Sequence, residues 1–286
     1  MKMRLIAAFG LAVLSVAPLA SGQPADTVAA PSLFPSEPYE FMLSKVAADE
    51  GRYDEALSRI DRVIDKVPTD PVLQFERAMI LIDSGRIERA ETELRRLTET
   101  HPDFYDAQRI FGRILLDRAG NDRSMMDEAL RHLSAAYQSN PDDLPTGVTV
   151  SQILVALGRS AEAERVLSTL VERAPDQRVI NFNYAQVLTK LGRGDESRPY
   201  LERAVRIDPT FVAAVMQLLD IYQRQSEWDK AAAILQPLID EEPINIELRR
   251  QQAYFYLRAG EPEKARTGFQ SLVDGDPKDF RSRFYL

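Results

Sequence analysis

The chain has 286 residues, 44% hydrophobic and 28% charged, with 44 acidic against 36 basic residues and a formal net charge of −8. This balance supports a folded core, carries too much charge for a membrane bundle, and repels phosphate backbones, so nucleic acid is not an expected partner. The absence of cysteine excludes disulfides, thiol catalysis, zinc–thiolate sites and N-terminal lipidation on cysteine.

Residues 1–22 have the layout of a cleavable export signal. Met1 to Arg4 is a positive start, Leu5 to Ala17 is an apolar run of 13 residues, and Ala20 and Gly22 are small residues placed for a cut after Gly22. The run is shorter than the roughly 17–25 residues that a membrane-spanning helix requires. Without this segment 34 basic residues face 44 acidic ones, a net charge of −10. The expected destination is the periplasm of a two-membrane bacterium, or the exterior, with no integral membrane segment in the mature chain. Residues 23–36, rich in Pro, Ala and Ser, show no helical period and are expected to form a flexible linker.

From residue 37 onward one proline recurs. Pro68, Pro102, Pro141, Pro175, Pro209, Pro243 and Pro277 are spaced by 34 residues, except for one interval of 39. Twelve residues before each stands a small residue: Ala56, Ala90, Ala129, Ala163, Ser197, Ala231 and Ala265. A period of this length marks stacked supersecondary units. In the first unit, Phe41, Met42, Val46 and Ala47 form an apolar stripe at helical spacing, and Gly51 supplies a left-handed helix end. Tyr53 to Ala56 opens a second helix carrying Leu57, Ile60, Val63, Ile64 and Val67. Pro68 stops that helix and Asp70 is placed to cap the next. Each unit is therefore a helix–turn–helix pair, over 37–70, 71–104, 105–143, 144–177, 178–211, 212–245 and 246–279.

The inter-helix glycine recurs as Gly85, Gly158, Gly192 and Gly260, with Ser226 in its place in the sixth unit. Small residues recur on the first helices as Ser44, Ala78, Gly112, Ser151, Ala185 and Ala253, with Leu219 the exception. Second helices repeat bulky apolar residues at Ile60, Leu94, Leu133, Leu167, Leu201, Leu235 and Phe269. This order of small, bulky and proline positions resembles the tetratricopeptide repeat over residues 37–279. The resemblance implies an all-α solenoid, a right-handed superhelix whose first helices line an inner surface. The early aromatic of that family's pattern is mostly missing, since Glu40, Gln74, Gln108, Gly147, Asn181, Val215 and Arg249 stand there.

Four irregularities break the rhythm. Five extra residues in the third unit, around Ala119 to Ser124, suggest a longer loop between its helices. Pro199 lies close enough to a helix start to be absorbed, whereas Pro237 falls inside a second helix and should kink it. Asp279 caps an eighth first helix over 280–286 whose end is apolar, which reads as a truncated repeat.

Little catalytic or metal chemistry stands out. His101 and His132 lack ligand spacing, and no nucleophile elbow or phosphate loop is present. Gly192 to Asp195 contains an RGD tripeptide that coincides with a repeat turn. Asp274 to Asp276 reads as a helix end, and Asp240 to Glu242 as solvated charge. No cofactor and no enzymatic activity are expected. The resemblance maps the fifth and ninth positions of each first helix onto the inner face: Phe41 and Lys45, Phe75 and Met79, Arg109 and Arg113, Val148 and Gln152, Phe182 and Gln186, Met216 and Asp220, Arg250 and Tyr254. The apolar members serve either inter-unit packing or a ligand, while the arginines suggest a groove for carboxylate-bearing peptide. The Lys and Asn set with which cytosolic chaperone-binding members hold a C-terminal carboxylate is absent, because Phe41, Lys45 and Met79 stand there.

The expected function is a non-enzymatic scaffold that binds a peptide or partner protein in the groove, in the bacterial envelope. The alternative is a targeting module of a larger enzyme or envelope-biogenesis machine whose further domain lies beyond residue 286. Self-association, the apolar end of one array stacking on another, is a third expectation.

Overall fold

Each unit-ending proline acts on the residue before it. His101, Asn140, Ala174, Asp208, Glu242 and Asp276 leave the helical region with φ between −122° and −140°, as clash with the proline ring requires. A computed structural model describes residues 36–286; the export signal and most of the linker lie outside the described residues. Among the described residues there are sixteen helices and no strand.

The helices alternate as first and second members of pairs. The first two pairs are α1 (Ser36–Asp49) with α2 (Tyr53–Ile64), and α3 (Pro71–Asp83) with α4 (Ile87–Thr100). The third and fourth are α5 (Tyr105–Ala119) with α6 (Arg123–Ser139), and α7 (Leu144–Ala156) with α8 (Ser160–Arg173). The fifth is α9 (Arg178–Lys190) with α10 (Gly194–Ile207). In the sixth, α11 (Val212–Arg224) precedes a second helix broken into α12 (Trp228–Ala233) and α13 (Gln236–Glu241). The seventh is α14 (Ile246–Arg258) with α15 (Pro262–Gly275), and α16 (Phe280–Tyr285) follows. Packing is local: each first helix meets its own second helix, and each second helix meets the next first helix. That is a solenoid.

The small residues sit where helices approach most closely. The seven residues twelve before each proline are buried, Ala56 to Ala231 completely and Ala265 almost so. The bulky residues one turn further along the same helices, Ile60, Leu94, Leu133, Leu167, Leu201, Leu235 and Phe269, are also buried. At Gly112 the approach is closer still, since an added Cβ would lie 2.7 Å from Leu133 Cγ and 3.1 Å from its backbone nitrogen. In the first unit only part of the stripe is covered. Met42 and Val46 are exposed, because among the described residues no helix precedes α1 to pack on them.

The five extra residues of the third unit do not form a longer loop. The other full first helices run 13 residues after α1, and the unbroken second helices from α4 onward run 14. By contrast α5 has 15 and α6 has 17. Two of the extra residues thus lengthen α5 and three lengthen α6, while the connection stays as short as its counterparts. Asp122 caps the longer α6 by accepting from the Ser124 and Met125 amides. Arg123, in the added turn, donates to the Leu157 carbonyl at the end of α7, 2.8 Å away. A cation at that end of a helix also meets the favourable pole of its dipole.

Pro237 breaks the sixth unit's second helix as its lost N–H requires. Gln252 of α14 donates to the Ala232 carbonyl at 3.2 Å beside the break. Pro199 lies inside an unbroken α10. Asp70, Asp143, Asn245 and Asp279 each accept from backbone amides of the helix that follows.

Glycine ends the first helix of every unit except the sixth, with positive φ at Gly51, Gly85, Gly120, Gly158, Gly192 and Gly260. Ser226 takes the same conformation, φ 57°, and the Glu227 amide still closes the turn on the Tyr222 carbonyl at 2.8 Å. An L side chain in this region is strained. Ser226→Gly should therefore raise unfolding stability by about 0.5–1 kcal/mol, after allowance for glycine's freer unfolded chain. Urea titration is the check, and an unchanged or lowered midpoint would contradict the strain.

Candidate interaction face

The fifth residue of a first helix reaches the residue that opens the next one. Phe75 of α3 packs edge-on against Phe104, ring centroids 5.5 Å apart, and Phe182 of α9 packs likewise against Phe211 at 4.9 Å. Arg250 of α14 meets Asp279 at 3.1 Å. At three of the seams ring is thus matched to ring or cation to anion. These contacts assign part of each predicted side chain to the array itself. Edge-to-face rings contribute about 0.5–1.5 kcal/mol beyond their buried area.

Arg250 is consumed more fully than its neighbours. Its side chain is only 15% exposed, and it bridges Glu247 at 2.6 Å as well as Asp279. Asp279 accepts from the Ser282 hydroxyl and amide and from Arg250, which holds its carboxyl down to about 2, the Ser282 hydroxyl being the main cause.

Arg109 and Arg113, one turn apart on α5, are differently placed. The nearest carboxylate of Arg109 is Asp106 at 3.8 Å, its guanidinium lies 5.6 Å from the Tyr105 ring centre, and its Nε is buried without a hydrogen-bond partner. Arg113 is exposed and has no ion-pair partner among the described residues. Asp143, which Arg109 faces across the seam, accepts from Thr146 and from the Tyr105 hydroxyl at 2.5 Å. Tyr105 is correspondingly pushed up, by burial first and then by Asp143.

The remaining positions divide between packing and solvent. Phe41 and Tyr254 pack partly buried against the core clusters, Tyr254 also edge-on to Tyr285 at 5.8 Å. Lys45 bridges Glu76 of the next unit, and Asp220 pairs with Arg224 one turn along at 3.0 Å. Met79, Val148 and Gln186 are half-buried; Gln152 and Met216 are exposed. At the far end Arg250 and Tyr254 form one wall of a cleft of about 800 Å³, closed by Phe280 and Phe284 of α16.

The fourth position carries a signal that pattern matching misses. Where the family aromatic is absent, Gln74, Gln108 and Asn181 donate side-chain amides to the carbonyls of Pro68, Pro102 and Pro175 at 2.7, 2.8 and 2.7 Å. Three of the seven unit-ending prolines are thereby tied to the next first helix. Gln108 in turn accepts from His132 Nδ1 at 2.7 Å, and the His132 ring lies 4.6 Å from Phe111. Burial first, and Arg131 second, push the His132 imidazole below its usual value, which favours the neutral ring. Gly147 at this position works differently: it admits the Tyr137 ring from the preceding second helix, 2.7 Å from where a Cβ would stand. The aromatic reaches the seam from the other side.

Among the described residues no group of three His, Asp or Glu is placed to hold a metal ion, and no helix is long and apolar enough to cross a membrane. The RGD tripeptide opens a helix: Arg193 is the N-cap, bridged to Glu164 and Glu196, and Gly194 and Asp195 begin α10 just after the turn at Gly192.

An array of helical pairs with these seams is a helical-repeat scaffold. More narrowly, tetratricopeptide repeat profiles match residues 47–110, 121–182 and 188–243, and a second matches 216–280, so the chain belongs to the tetratricopeptide repeat family. No curated protein sequence matches it. Among solved structures, it is similar to the C-terminal part of a repeat protein from Cytophaga hutchinsonii, at 14% identity and TM-score 0.59. That match covers 86% of this chain and 99% of the other. A tetratricopeptide protein from Parabacteroides merdae matches at 15% identity and TM-score 0.52, over 88% and 97%. Naa15/Naa10 bound to HypK-THB matches at 14% and 0.58, over 87% of this chain and 38% of the other. These likenesses show the fold, and the family makes the chain a protein-interaction scaffold.

Gly147→Ala should drive Cβ into the Tyr137 ring and cost about 1–2 kcal/mol, overpacking outweighing the better helix propensity of alanine. Gly194→Ala, with nothing within 4 Å, is the neutral control. Equal thermal melts for the two variants would contradict the close approach.

Proposed function

We propose that the chain is an exported, non-enzymatic scaffold that binds a carboxylate-bearing peptide or partner segment along its first-helix face, in the bacterial envelope. The observation that carries this reading is Arg109, whose buried Nε has no partner, with Arg113 unpaired one turn away. A buried guanidinium nitrogen without an acceptor leaves Arg109 short of counter-charge, and a carboxylate reaching the exposed part of its guanidinium supplies it. Arg250, satisfied by Asp279 and Glu247, is not needed for this role. The apolar contribution comes from Met79 and Met216, adaptable side chains suited to a partner surface. Export is supported by the charged, apolar and small-residue order of residues 1–22.

The test uses protein recovered from the envelope fraction, processed to Gln23, against an array of acidic and basic peptides. Wild-type protein should retain the acidic set. Arg113→Glu should weaken that retention at least roughly tenfold, a loss of ~1.4 kcal/mol, with an unchanged melt. Equal retention by both proteins, or a protein that stays in the cytoplasm unprocessed, would contradict the reading.

A further inference from the structure

Two surface features are not accounted for by packing within the array. One is the turn between the sixth and seventh units. The residue after each unit-ending proline is polar at Thr69, Asp103, Asp142, Asp176, Thr210 and Lys278, whereas the sixth unit has Ile244, which is 91% exposed. Just before it, Asp240, Glu241 and Glu242 stand at the C-terminal end of α13, where the helix dipole opposes negative charge, and among the described residues none pairs with a cation. Gln236 donates to Asp240 and Asn245 to Glu242.

The other is a groove of about 580 Å³ between α6 and α8, on the second-helix side of the third and fourth units. Leu130, Val150 and Leu154 lie along its floor, and Arg131 and Arg165 stand on its two walls at equivalent repeat positions. Both arginines are exposed, and neither makes an ion pair among the described residues. The chain as a whole is acidic, so two unpaired cations over an apolar floor are a local reversal of its charge.

We propose that a second copy of the chain docks here, its Ile244 seated on the apolar floor and its Glu241 and Glu242 facing Arg131 and Arg165. The charges are complementary, and an apolar knob meets an apolar groove. Within one chain the two features belong to units that a solenoid holds apart, because its substantial helix contacts are between near neighbours. The contact is between different surfaces, so it either closes reciprocally as a dimer or extends as a chain of copies. It leaves Arg109 and Arg113 open.

Sedimentation of the purified chain over a concentration series tests the proposal. Wild-type mass should rise with concentration. Ile244→Thr, which installs the residue found at Thr69 and Thr210, should keep its melt and weaken association more than tenfold. The pair Arg131→Glu with Arg165→Glu should do the same. Adding Glu241→Arg with Glu242→Arg to that pair should restore association by exchanging the charges. A wild-type protein that stays monomeric throughout its soluble range overturns the proposal. Association that survives Ile244→Thr, or a reversal that restores nothing, overturns it as well.

Discussion

Close approach of helices at seven buried small residues is the constraint on which the array depends. Ala56, Ala90, Ala129, Ala163, Ser197, Ala231 and Ala265 carry no bulk that could hold neighbouring helices apart, and Ile60 through Phe269 fill the space beside them. The prolines enforce the rest. By turning the preceding residue out of the helix they return the chain at a fixed angle, so that one unit's geometry repeats in the next. A single misplaced turn would propagate along a structure whose substantial helix contacts are all between near neighbours.

The seams between units couple that geometry to surface chemistry. At three seams a fourth-position amide holds the proline carbonyl, and at three a fifth-position side chain meets the residue opening the following helix. Further out, arginines tie units together, as Arg198 of α10 does with Glu227 at 2.8 Å and Arg86 before α4 with Asp54. Exposed pairs of this kind contribute little singly, about 0–1 kcal/mol. Many charged side chains of this protein pair internally, within a unit or across a seam. Arg109 and Arg113 are informative because they stand together on α5, the first with a buried Nε that lacks an acceptor.

Much of the fold was legible in the residues. The period located every pair, the small positions located the contacts, and Pro237 located the break between α12 and α13. Where the reading went astray, the missing information was three-dimensional. Five extra residues in the third unit look like a loop in sequence, yet helical hydrogen bonding absorbs them, because Arg123 to Met126 can continue a helix once Asp122 caps it. Met42 and Val46 form a core-like stripe that no described helix covers. The candidate face was legible only as positions. Arg109 and Arg250 share one register position, but the carboxylate that closes on Arg250 comes from a residue 29 places downstream, and nothing local distinguishes the two.

That distinction between structural and available arginines is the central claim, and urea unfolding of Arg250→Gln, Asp279→Asn and their double variant, beside Arg113→Gln, tests it directly. Arg250 and Asp279 should couple by about 1–3 kcal/mol, and Arg113→Gln should leave stability within about 0.5 kcal/mol of wild type. A large loss on replacing Arg113, or no coupling between Arg250 and Asp279, would contradict the assignment of one arginine to the array and the other to a partner.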